Sequence, residues 1–359
     1  MSIQDLQKRL GTEWKAINEA RKFSQAARKQ LISAISGESE RLQSTETSLV
    51  ALGSLARKEC VVGSDLDWTV LIDGQADPYH LPLTLKIREK IEPVIKTLNL
   101  EKPSPRGLFG NMVFSHDVLH AIGGEDDTNR NTTIRILLLL ESVAIGQSDA
   151  RERVLTNILR RYLEEDAFFA SGTPKSRAVP RFLLNDIIRY WRTVAVDFAS
   201  KRRELAGEGW ALRNIKLRMS RKLMFMSGVI MCFDCELKHR EIFEKALFAG
   251  ASNPYSLIQL LLGEYVDQTP MDVCARAFVE RGKLETAKDF FDAYDEFLGK
   301  LANETIRSQL KTLNYEAAAE NDEFQHLRTT SHKFQEAALK FFFCDNDEVK
   351  ELTEQYGIF

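Results

Sequence analysis

The chain lacks any hydrophobic run long enough to cross a membrane; its best stretch, residues 134–140, is too short and carries Arg135. Its first residues, MSIQDLQK, form no apolar leader, so a cytoplasmic location is the expectation. Cysteine is scarce and scattered: five in 359 residues, an odd number without framework spacing, which argues for a reducing compartment. Cys232 and Cys235 make a lone C-x-x-C with no second pair and no histidine at ligand spacing, so they read as buried thiols in an apolar helix. Internal repeats and low-complexity tracts are absent. The formal net charge of -3 excludes a protein that binds polyanions over its whole surface.

What remains is ordinary globular composition, 44% hydrophobic and 28% charged, on a chain long enough for two or three domains. Leu6, Leu10, Trp14 and Ile17, then Ala27, Leu31, Ile32 and Ile35, recur at helical spacing. They predict a helical segment over residues 1–45, with its main helix closed near Gly37. Residues 49–52, 66–72 and 109–115 read as strands, with a helix over 81–98 between the last two. From about residue 132 onward the pattern is helical, with interruptions near 146, 171–180, 206–209, 250–254 and 267–270. The expected architecture is α+β. A small mixed sheet with flanking helices fills a domain over 46–165, and a larger all-helical region follows over 166–359.

Two chemical devices stand on neighbouring strands. Gly53-Ser54 is a small turn at which backbone amides can approach a phosphate. Asp65-Leu66-Asp67 opens the apolar run 69–72, and strand alternation points both carboxylates the same way. Two such charges about 4 Å apart repel by about 1 kcal/mol in water and about 4 kcal/mol at an effective dielectric near 20. A divalent cation turns that repulsion into coordination, and Mg2+ typically takes one or two carboxylates plus phosphate oxygens.

Together these residues resemble the polymerase-β-like nucleotidyltransferase superfamily, whose signature is a Gly-Ser turn after one strand and an Asp-x-Asp on the next. The fuller pattern, Gly53-Ser54-x-x-Arg57-x-Glu59 and then Asp65-x-Asp67, is similar to bacterial nucleotidyltransferases often fused to CBS domains. Those are relatives of the enzyme that uridylylates nitrogen-regulatory proteins. A weaker match runs from Gly110-Asn111-Met112-Val113 to Leu139-Leu140-Glu141 and Gly146, so the resemblance spans roughly residues 45–165. It implies Mg2+ (or Mn2+) held by Asp65 and Asp67 and a nucleoside triphosphate such as ATP as substrate. An acceptor hydroxyl attacks the α-phosphorus and pyrophosphate leaves. Gly53, Ser54, Arg57 and Ser64 would then line the nucleotide. Arg57 has a second reading, holding the loop against Glu59 or another carboxylate, and Ser64 that of a turn residue. The superfamily takes a third carboxylate from a later strand. None lies within 109–115, so Asp117, just past its end, takes the third catalytic position, and Glu141 reads as a helix-packing salt bridge.

Residues 175–222 carry thirteen Lys and Arg against four acids, an asymmetry that predicts a basic patch for a triphosphate, a nucleic acid or another polyanionic acceptor. Tyr190, Trp191 and Trp210 are candidates for base stacking there, with core packing as the alternative. Phe290, Phe291, Tyr294, Phe297, Phe334 and Phe341–Phe343 read as helical core, or else as an oligomer or partner face. The acceptor stays open among a protein hydroxyl, an RNA end and a nucleotide. Free-standing members of the superfamily act in bacterial regulation, toxin–antitoxin pairs and antiviral defence. Transfer to a small molecule, and a catalytically silent nucleotide-sensing or partner-binding module, are the alternatives.

Overall fold

A computed structural model describes residues 2–36, 42, 44–103, 108–164, 178–204, 207–238 and 254–357. The chain divides into two compact units: Met1–Glu19, Trp191–Leu237 and Pro270–Phe359 in one, Ala20–Tyr190 and Lys238–Thr269 in the other. The boundaries expected at 45/46 and 165/166 therefore both fall inside the second unit. Helices Lys15–Ser36 and Arg181–Glu204 each supply residues to both units. Among the described residues no helix is long and apolar enough to cross a membrane.

The second unit is built on a four-stranded sheet of β1 (Thr47–Leu52), β2 (Trp68–Ile72), β3 (Asn111–Phe114) and β4 (Ser142–Ile145), in the order β3-β2-β1-β4. β1 runs antiparallel to both neighbours and β2 parallel to β3, so the sheet is mixed and the fold α+β. Trp68, Val70 and Ile72 face a core shared with Leu83, Ile87, Ile91 and Ile95 of helix His80–Thr97 and with Ala27, Leu31 and Ile35 of helix Lys15–Ser36. Each such large side chain contributes about 1.5–3 kcal/mol on burial. The apolar spacing of both helices matches this one buried face.

Two expectations change. The N-terminal segment is two helices, Ile3–Leu10 and Lys15–Ser36, because Gly11 adopts φ 62° and caps the first one in the left-handed region. Gly37 lies outside the described residues, as do 171–177 and 250–253. The second change is β4, which the sequence reads as helix. The run from Ile134 to Ile145 is mostly apolar, interrupted only by Arg135, Glu141 and Ser142, and carries no period that separates helix from strand. Glu141 ends helix Asn129–Leu140 with φ -147°, and the next four residues pair with the free edge of β1, Leu52 opposite Ser142.

The first unit is helical. Phe278, Phe290, Phe291, Phe334 and Phe341 are buried against one another, with Phe290 stacked on Phe334 at 4.3 Å between centroids. Trp14 joins this core and donates its indole N–H to Asp292 at 2.8 Å. The C-terminal aromatic stripe through Phe341 is thus core packing, while Phe342 is partly buried and Phe343 exposed. Asn346, within the acidic stretch after it, caps the last helix by accepting from the Val349 N–H.

Candidate active site

Strand order brings one end of the sheet to a focus. β1 ends at Leu52 and the chain turns at Gly53, whose φ is 65°. In the antiparallel register Ala51 lies opposite Trp68, so the end of β1 meets the start of β2. The Leu52 N–H donates to the Asp67 carbonyl at 2.8 Å. Residues 64–67 are kept extended by a short ladder to Glu101: Leu66 N–H to the Glu101 carbonyl and Glu101 N–H to the Ser64 carbonyl, both 2.9 Å. Leu66 and Trp68 are buried in the core, while Asp65 and Asp67 are half-buried, as alternation along an extended chain requires. A methyl group placed on Gly53 would lie 2.9 Å from the Asp67 Oδ2. The Asp67 carboxylate therefore rests directly against the glycine corner.

Arg57 is buried between two acids. Its Nε donates to Glu59 Oε2 at 2.8 Å and its Nη1 to Glu141 Oε2. Glu141 arrives here because β4 starts beside the end of β1. The structure thus commits the Arg57 guanidinium to two carboxylates at the corner and does not offer it as an open phosphate ligand. Ser64 is buried; its hydroxyl accepts from the Val61 N–H at 3.1 Å and its own N–H donates to the Val61 carbonyl, which makes it a turn residue. Ser54 is half-buried, and its carbonyl accepts from the Glu59 N–H.

Asp117 is not brought to the pair. β3 runs parallel to β2 with Asn111 opposite Thr69 and Phe114 opposite Ile72, and Asp117 follows in the short helix Ser115–Leu119. From Asp67 to the far end of β2 the chain rises about 16 Å. Asp117 lies beyond that end and is exposed. Among the described residues no group of three or more His, Cys, Asp or Glu forms a metal cluster. Asp67 at the corner and Asp65 two residues before it offer two half-buried carboxylates, hard oxygen ligands of the kind Mg2+ takes when phosphate oxygens complete its shell.

The basic region divides by role. Lys175 and Arg177 lie outside the described residues. Arg189 holds the 123–129 loop, donating to Asp127 Oδ2 at 3.3 Å and Asn129 Oδ1 at 3.1 Å. Beneath it the fully buried Arg135 binds both oxygens of Asp127 at 3.1 and 2.7 Å, Asp186 at 2.7 Å and the Tyr162 hydroxyl at 2.6 Å. Burial alone would lower the Arg135 pKa, but Asp127 and Asp186 raise it, so the group is held charged. Arg202 lies 4.5 Å over the Tyr315 ring. Tyr190 is buried, Trp191 stacks on Phe225, and Trp210 packs among Phe198, Tyr315 and Phe324. These aromatics serve packing. Cys232 and Cys235 are buried in helix Lys222–Leu237, where burial pushes both thiols up and keeps them protonated.

Comparison with protein-family models, curated proteins and solved structures finds no match to this chain in any of the three.

Proposed function

We propose that this protein is a divalent-metal-dependent nucleotidyltransferase, moving a nucleoside monophosphate from a triphosphate to a hydroxyl of a protein, an RNA or a nucleotide. The observation that carries the reading is the seating of the Asp67 carboxylate against Gly53, with Asp65 on the same side of the chain. A positive φ and the absence of a side chain at Gly53 let the Asp67 carboxylate lie against the backbone, where the exposed amides of such a turn can meet a phosphate. Asp65 and Asp67 would hold Mg2+ or Mn2+, which when bound supplies positive charge against the triphosphate and acidifies a nearby hydroxyl.

The chain's own residues do the rest. Gly53 lets a phosphate approach the backbone, and Ser54, half-buried beside it, donates its hydroxyl to a phosphate oxygen. Buried Arg57, tied to Glu59 and Glu141, fixes the loop that carries both. Such chemistry runs on positioning and charge neutralisation, so a rigid corner is the relevant device.

The test is incubation with each labelled nucleoside triphosphate and Mg2+ or Mn2+, alone and with RNA or protein acceptors. Labelled product that disappears in the double variant Asp65→Asn, Asp67→Asn supports the site, and undiminished turnover in that variant refutes it. Triphosphate binding without turnover under every condition would replace the enzyme by a nucleotide-sensing module.

A further inference from the structure

The helical unit contains cations that the proposed chemistry does not use. Helix Trp210–Lys216 passes into helix Lys222–Leu237 through a π-helical turn, Leu217–Arg221, and this turn packs on helix Asp322–Phe343. Widened turns of this kind are rare within helices and frequently mark functional sites. Arg218 on the turn donates to the Asn214 amide oxygen at 2.9 Å, and Lys222 at its end donates to the Gln335 amide oxygen at 2.9 Å. Both side chains are half-buried, and both of these partners are neutral. The exposed Arg328 of helix Asp322–Phe343 acts by its charge on Arg218, and Gln335, the partner of Lys222, lies two turns further along the same face of that helix.

Half-buried cations are normally paired with carboxylates, because desolvating an uncompensated charge is costly. Here burial and the neighbouring Arg218 push the Lys222 ammonium down to about 8, and burial and Arg328 lower Arg218 as well. The fold sets Arg218 and Lys222 one turn apart and gives each an amide oxygen as partner. That arrangement is favourable once an anion with several acceptor oxygens sits among them.

We propose that Arg218, Lys222 and Arg328 form a phosphate-binding site at the π-turn, taking either a free phosphate compound or the phosphodiester backbone of a single-stranded nucleic acid. The site stands on residues of the helical unit alone and does not rest on the nucleotidyltransferase reading. The experiment uses the full chain carrying Asp67→Asn, so that metal-dependent binding at the glycine corner does not enter. Thermal unfolding is followed with inorganic phosphate, with tripolyphosphate and with a short oligouridylate, in the parent and with Arg218→Gln plus Lys222→Gln added.

Expected is a rise in melting temperature with at least one of the three probes, lost in the added double variant and kept in Lys350→Gln, a control on the last helix. Without ligand the added double variant melts at the same or a higher temperature than its parent, because it removes repulsion; a merely structural role would lower it. Tripolyphosphate shifting the melt more than oligouridylate identifies a free phosphate compound. The reverse order identifies a nucleic-acid strand, and the shift in the parent then shrinks as salt is raised. No shift with any probe, or an equal shift in parent and double variant, overturns the proposal.

Discussion

Gly53 and Gly11 offer a matched pair of perturbations. Both adopt the left-handed region, at φ 65° and 62°. An added Cβ at Gly11 meets nothing within 4 Å, whereas at Gly53 it lies 2.9 Å from the Asp67 Oδ2 and 3.8 Å from its Cβ and Cγ. Alanine in this conformation costs about 1–2 kcal/mol at either position. That strain lowers the melting temperature by about 2–8 °C in both variants. Only Gly53→Ala also needs its neighbour to move, since contacts under 3.0 Å are not tolerated. The Asp67 carboxylate shifts by a few tenths of an ångström or rotates away, and a misplacement of about 1 Å costs on the order of a hundredfold in positioned chemistry. The assay is thermal unfolding together with metal-dependent turnover of labelled triphosphate. Losses of stability in both variants, at least as large in Gly53→Ala, with turnover impaired in Gly53→Ala alone, are expected. If both variants keep full turnover, or both lose it alike, the seating of Asp67 against the glycine is not what positions the reaction.

Arg135→Met leaves Asp186 and Asp127 buried with a charge removed from between them, and should cost about 3–5 kcal/mol in urea unfolding. Arg189→Met, at a side chain that is one-third exposed, should cost less than about 1 kcal/mol. Glu141→Ala strips one acid from the buried Arg57 and should lower stability by about 3–5 kcal/mol as well, while Asp117→Ala, at the other end of the sheet, leaves turnover unchanged. Lys222 has a folded pKa of about 8 against an ordinary 10.5, so between those values the unfolded chain binds more protons and stability rises with pH. The advantage of Lys222→Met over wild type is therefore largest below pH 8 and shrinks toward 10.5, measured by urea midpoints across that range. Arg218, the charge that acts on the ammonium, is present in both proteins and its own contribution cancels to first order.

Local chemistry made part of this protein legible in advance. The α+β class, β1, β2, β3, helix His80–Thr97 and the aromatic core of the C-terminal helices follow from apolar periodicity, because one buried face per element leaves a period in the sequence. The same-sided orientation of Asp65 and Asp67 follows from strand alternation and needs no tertiary information.

Pairing and register decided the rest. The residues of β4 carry no period that separates strand from helix; the open edge of β1 selects the strand, and that choice swings Glu141 to the glycine corner. Asp117 looked adjacent to the site because it follows a strand that pairs with β2. Parallel direction, which no local pattern encodes, sends it to the far end instead. Arg57 could have met a phosphate or a carboxylate by its chemistry alone; burial between Glu59 and Glu141 made the choice, since a desolvated guanidinium takes the nearest acids. The unit boundaries escaped the sequence for the same reason: residues 20–36 and 254–269 join the sheet-bearing unit through contacts distant along the chain. Sequence fixes what depends on neighbours a few residues away, and tertiary structure decides whatever depends on which distant strand or helix lies alongside.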